Sequence, residues 1–193
     1  MTWEWWLVIA ALIIGLVAFV VAQRARRLDA LNRTVAKSRR ALEMALTARA
    51  HYAHDFATVG ALDMAGAILL TDSADTCLRE GMQPIIDDGL DTLSNLDLAR
   101  PGVEAPDRRQ LESNLSRTLR LTVDQLDEND LDDEARAFYD KLQQARLQVK
   151  MTRNFHNSHV AQVRRVRTGV VARLFPIAGH APWPQTVDMD DAE

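Results

Sequence analysis

LDDEARAFYDKLQQARLQVKMTRNFHNSHVAQVRRVRTGVVARL, residues 131–174, is the stretch that decides the fold. Ala135, Leu142, Val149, His156, Val163 and Val170 recur every seventh residue in it, and Phe138, Ala145, Thr152, His159 and Val166 form a second row. A sustained 3.5-residue period predicts one long helix with a single buried stripe. Pro176 and Gly179 are expected to end it. A helix this long needs an equally long partner for its stripe, and the chain offers one.

The partner lies near the N-terminus. Leu28, Val35, Leu42 and Phe56 form one row, and Leu31, Ala45, Tyr52 and Val59 a second. This amphipathic helix is predicted to run to about Leu70. The segment before it is different: Trp5 to Ala22 holds no charge, and its only hydrogen-bonding side chains are two indoles. As a helix it reaches ~27 Å, close to the thickness of a bilayer's hydrocarbon core. A cleaved signal peptide ending at Val20-Val21-Ala22 is the alternative. An n-region without Lys or Arg weighs against it. Trp3, Trp5 and Trp6 suit one interface, and Arg24, Arg26 and Arg27 follow the other end. The expectation is a single-pass anchor in the cell membrane, with the N-terminus outside and the rest in the cytoplasm. Cys77, the single cysteine, fits a reducing compartment and reads as a small apolar residue on a helix.

Thr71-Asp72-Ser73 reads as a helix stop followed by a new cap. Beyond it, Leu78, Met82, Ile85, Ile86, Leu90, Leu93, Leu96 and Leu98 are interrupted by Gly81, Pro84 and Gly89, which predicts a kinked helix or two short ones. Residues 100–106 read as a loop. Pro106 then suits the first turn of a further helix, with Asp107 at its positive end and Leu111, Leu115, Leu119, Val123 and Leu126 on its apolar face. Residues 127–130 form an acidic turn. The predicted fold is all-α: a transmembrane anchor (1–23), an antiparallel bundle of about four helices with long first and last members (24–175), and a Pro/Gly loop with an acidic tail (176–193).

Net charge is −4, but it is unevenly placed. Residues 24–50 carry +6, residues 146–175 carry +7, and the block between them carries −12. With Leu174 set level with Leu28, Arg24, Arg26, Arg27, Arg33, Arg164, Arg165, Arg167 and Arg173 form a collar at the membrane. Such a collar gains ~1 kcal/mol per basic residue beside anionic lipid. Phe175, Ile177 and Trp183 are placed to dip into the interface from the same end. The acidic block occupies the distal tip.

No glycine-rich phosphate loop, nucleophile elbow or Cys–His metal spacing is present, so no catalytic residue and no cofactor is expected. The basic blocks lack interleaved aromatics, which argues against nucleic acid. His51 and His54 with Asp55, and His156 with His159, are spaced for metal between helices, and a metal-dependent sensor or enzyme is the alternative function. His51 and His54 lie off the buried stripe, however, and glutamate ligands are missing. The preferred reading is a structural polar layer of Arg49, Tyr52, Thr152 and His156, with Asp55 neutralising Arg49 or a protonated histidine. Small-residue spacings at Ala11/Gly15 and Ala18/Ala22 permit weak self-association in the bilayer.

Three stretches, at residues 111–120 (LESNLSRTLR), 153–160 (RNFHNSHV) and 171–184 (VARLFPIAGHAPWP), together with an N-terminal anchor leading into a basic helix, resemble the LemA family of bacterial membrane proteins. The resemblance implies a helical bundle on one transmembrane helix and no settled activity. His156-Asn157 stands where the family commonly has Tyr-Asn, Ser38-Arg39 where it has Ala-Trp, and His54-Asp55 where it has Pro-Asn. The expected function is therefore a non-enzymatic scaffold or interaction module with lipid and an unidentified protein as partners.

Overall fold

A computed structural model describes residues 3–86, 88, 107–169 and 182–190. They form four α-helices and two short 3-10 turns, with no strand among the described residues. Helix α1 (Trp3–Thr58) is unbroken from the apolar run into the bundle. Its 56 residues extend about 84 Å. Side chains of the apolar run stand exposed, as in Leu12 (69%) and Ile14 (69%), and the stretch is long and apolar enough to cross a membrane. From Leu28 onward the stripe is covered.

What covers it is α4 (Asp133–Arg167), which runs antiparallel along α1 as the two heptad patterns require. Leu28 and Val35 meet Val160 and Val163 at the N-terminal end of the seam. Leu42, Ala45 and Leu46 meet Val149 in the middle. Phe56 lies against Tyr139 at the distal end, ring centroids 6.0 Å apart. The two helices α2 (Met64–Arg79) and α3 (Arg108–Thr122) join only this distal part. There Leu70, Ala74 and Cys77 of α2 and Leu115 and Leu119 of α3 close a core around Phe56. Below that core the long helices form a two-stranded hairpin.

The structure moves several predicted boundaries. Helix α1 ends at Thr58 rather than near Leu70, because Gly60 takes φ +86°, a left-handed conformation that stops a helix cheaply. Asp63 then caps α2 by accepting from the Gly66 amide at 2.9 Å. Thr71-Asp72-Ser73 therefore lies inside α2, where Leu70 and Ala74 carry the buried stripe past it. A 3-10 turn (Glu80–Met82) ends this helix instead of a kink. Helix α3 starts at Arg108 with Asp107 as its cap; Pro106, expected in its first turn, lies outside the described residues. Helix α4 stops at Arg167, with Thr168 as C-cap, seven residues before the predicted end. Leu90, Leu93, Leu96, Leu98, Val170, Arg173, Leu174, Phe175 and Ile177 lie outside the described residues. Replacing Asp63 by alanine is expected to destabilise the protein by ~1 kcal/mol, read from the urea midpoint in detergent.

The register also differs. Leu28 clusters with Val160, Val163 and Val166 and His156 lies beside Ser38, about one heptad from the register expected with Leu174, which itself lies outside the described residues. A slide of one heptad keeps stripe on stripe, so periodicity alone leaves it undetermined.

Residues 182–190 are no free tail. They run extended along the bundle. Val187 and Met189 are buried among Leu42, Leu46, Ile85, Ile86 and Val149. The domain boundary expected at 176 thus separates from the bundle a segment whose described part is built into it.

Candidate functional site

Two buried polar clusters interrupt the apolar seam. The lower one centres on Arg39, which is 1% exposed although its helix position falls outside both rows of the stripe. Its guanidinium donates to both carboxylate oxygens of Asp88, at 2.8 and 2.5 Å. Asp88 also accepts from the Gln185 amide at 3.1 Å, which ties the C-terminal segment to the pair. Alongside lies His156, fully buried, with Nε2 3.2 Å from the Gln185 carbonyl and Nδ1 3.2 Å from Ser38 Oγ. A carbonyl only accepts, so neutral His156 carries its proton on Nε2. The Ser38 hydroxyl then donates to Nδ1 or to the Val35 carbonyl, 2.8 Å away.

The segment is held at further points. Asn157 donates through its Nδ2 to the Val187 carbonyl (3.0 Å) and accepts the Val187 amide on Oδ1 (2.9 Å), as a neighbouring strand would. Arg153 donates to the Met189 carbonyl, and the Asp190 carboxylate accepts from Arg120 of α3 at 2.8 Å. Toward the base, Arg164 donates to the Pro184 carbonyl at 3.0 Å and Arg167 to that of Pro182 at 2.5 Å. The segment is therefore a strap running from the base of α4 to α3.

The upper cluster centres on Arg49, 3% exposed on α1. It donates to Glu112 Oε2 (2.8 Å), the Glu112 carbonyl (3.1 Å) and Ser116 Oγ (2.8 Å) of α3. Arg108 approaches the same carboxylate at 3.6 Å and donates to the Gln83 carbonyl. Two guanidinium groups thus share one buried carboxylate. Burial, reinforced by the Glu112 charge, pushes the Cys77 thiol up to about 12, so it stays protonated and unreactive.

The predicted single layer is therefore two. Arg49 and His156 are both buried but belong to separate clusters, because the true register places His156 beside Ser38. Thr152 bonds back to the Gln148 and Val149 carbonyls of its own helix, and Tyr52 packs against the distal core. Asp55 does not neutralise Arg49. It lies half-exposed 3.8 Å from His54, whose other nitrogen is 3.6 Å from Asp75. The partners that matter, Glu112, Ser116 and Asp88, were missed. In the sequence Glu112 and Ser116 look like the solvent face of α3, and their i,i+4 spacing beside Arg108 was the available signal.

The histidine pairs are not brought together. His156 sits level with Ser38 and His54 is sixteen residues further along α1, about 24 Å away along the axis. His51 is exposed and His159 half-buried. Among the described residues no group of three His, Cys, Asp or Glu is placed to hold a metal ion.

Of the predicted collar, Arg24, Arg26, Arg27, Arg33, Arg164 and Arg165 are exposed, Arg33 being paired with Asp29 at 2.7 Å. Arg167 is half-buried, its guanidinium 4.3 Å over the Trp183 ring. Arg173 lies outside the described residues.

Burial lowers the His156 pKa below its ordinary 6.5. Arg39 and His159 push the same way, and the Gln185 carbonyl and Asp88 oppose them. The folded protein thus binds fewer protons at this site than the unfolded chain. Its contribution to stability is complete above about pH 6.5 and is lost as pH falls below that value. The urea midpoint of the full chain in detergent should fall between pH 7.5 and pH 5.5, and the His156→Gln variant should show a smaller fall.

Comparison with family models, curated proteins and solved structures returned no match.

Proposed function

We propose that this protein is a membrane-anchored, non-enzymatic scaffold, its apolar run in the cell membrane and its bundle on the cytoplasmic side. The observation that carries the reading is the continuity of α1. One helix serves as apolar run and as bundle spine, so the bundle is held out as a rigid post rather than on a flexible tether. Arg24, Arg26 and Arg27 just past the run support the inward orientation and contact with anionic lipid. The buried charges are engaged with one another, as structural groups are. Leu147, Met151 and Phe155, one turn apart on α4 and 57, 49 and 59% exposed, supply an apolar row suited to a protein partner. Membership of the LemA family, suggested by the three motif stretches, belongs to the same proposal.

A photo-crosslinking residue at position 155 in native membranes tests it. The expected result is a reproducible protein adduct, absent when the probe is moved to the exposed Ala161. Lipid adducts alone would remove the scaffold reading. A C-terminal reporter active only outside the cytoplasm would reverse the orientation.

A further inference from the structure

Near the upper polar cluster, α3 and α4 part to leave a cleft of about 320 Å³ with α1 as its floor. That volume falls at the lower end of the range for small-molecule sites. Four cationic side chains line it: Arg49 from the floor, Arg120 from α3, and Arg146 and Lys150 from α4. Asp124 is the one carboxylate among the described lining residues. Leu119 and Leu147 add apolar wall.

We propose that this cleft binds a small organic anion, a phosphate or carboxylate group carried on an apolar body. Arg49 is nearly fully buried, and its Nε, shielded from solvent, has no hydrogen-bond partner. The charge of a nearly buried guanidinium is screened little by water, so an anion entering the cleft that Arg49 lines is attracted to it strongly. The three arginines are already held in place: Arg49 by Glu112, Arg120 by Asp190 and Arg146 by Asp124 at 2.5 and 2.8 Å. These contacts hold the guanidinium groups in place, so they are oriented before a ligand arrives. The Leu119 and Leu147 walls favour an anion with apolar surface over a bare ion.

The same anionic group occurs on lipid headgroups and on soluble metabolites. Position decides between them. With the apolar run in the bilayer, as proposed above, Arg49 stands 27 residues beyond Ala22, about 40 Å along the helix axis. A headgroup in the same membrane does not reach that height, so the ligand comes from the aqueous phase. This assignment of source rests on the anchored reading; the binding itself does not.

Isothermal titration of the full chain in neutral detergent with phenyl phosphate tests the proposal, with inorganic phosphate and sodium chloride at matched ionic strength for comparison. Phenyl phosphate should bind more tightly than inorganic phosphate. The Arg146→Gln/Lys150→Gln variant should bind it at least ~10-fold more weakly, as loss of a charge-assisted hydrogen bond implies. Its circular dichroism should stay near that of the parent, with only a modest fall in melting temperature from loss of the part-exposed Arg146–Asp124 pair. Absence of phenyl phosphate binding, equal binding of inorganic phosphate, or an unchanged affinity in the variant would overturn the proposal. In nanodiscs containing phosphatidylglycerol the affinity should match that in detergent. Competition by that lipid would overturn the aqueous source.

Discussion

Replacing Glu112 by alanine should lower the unfolding free energy by about 3–5 kcal/mol, the range for removing one partner of a buried ion pair. Glu112 and Arg49 are 1 and 3% exposed, so water screens the interaction little. The variant leaves Arg49 without its carboxylate and takes the same counter-ion from Arg108, 3.6 Å away. The penalty is that of stranding charge, not of losing one hydrogen bond. A second variant separates the two. Arg49→Met combined with Glu112→Leu removes both charges and should recover much of the loss, because an apolar pair of similar volume avoids the desolvation cost. Urea unfolding of the full chain in detergent reads both. A loss below about 1 kcal/mol for Glu112→Ala, the worth of an exposed pair, would show that the cluster is not buried as described.

Asp88→Ala should cost a similar ~3–5 kcal/mol and also release the strap. Asp88 is the carboxylate for buried Arg39 and at the same time the acceptor for the Gln185 amide. Its removal therefore acts at Arg39, 49 residues before it in sequence, and at Gln185, 97 residues after it. Hydrogen exchange at the Gln185 and Val187 amides should accelerate in the variant beyond the change at distal α1 positions such as Phe56. An equal change at both places would mean global unfolding without local release. Asp88→Asn, which keeps an acceptor for Gln185 but loses the charge, should leave the strap better protected than Asp88→Ala. The result would separate the roles of Asp88 as counter-ion and as clasp.

These predictions rest on residues that the sequence disguises. Arg49 falls in the first row of the stripe and Arg39 beside the second, and only their partners explain why charged side chains are buried there. Asp88 belongs to neither heptad stripe, so no periodicity marks it as buried. Glu112 and Ser116 fall on the same α3 face as Arg108, and in a lone helix that face would be wet. The strap is hidden for a different reason. Residues 182–190 form neither helix nor strand, so no local pattern marks Val187 and Met189 as core. Helix ends were misplaced where the stop came from backbone conformation, as at Gly60. The apolar period itself was legible, as Leu142, Val149 and Val163 show by their burial.

Local sequence determined what depends on local chemistry. An uncharged run too greasy for water, two stripes with a 3.5-residue period, and helix formers throughout were enough for a long-helix antiparallel fold with an apolar N-terminal segment. Tertiary structure alone decided the register, the pairing of buried charges and the path of the strap. A heptad stripe matches itself after every seven residues, so hydrophobic burial is nearly indifferent to a slide of that length. Buried ions are not indifferent. Arg39 must find Asp88 and Arg49 must find Glu112, because a charge left unpaired inside the protein costs more than a displaced leucine.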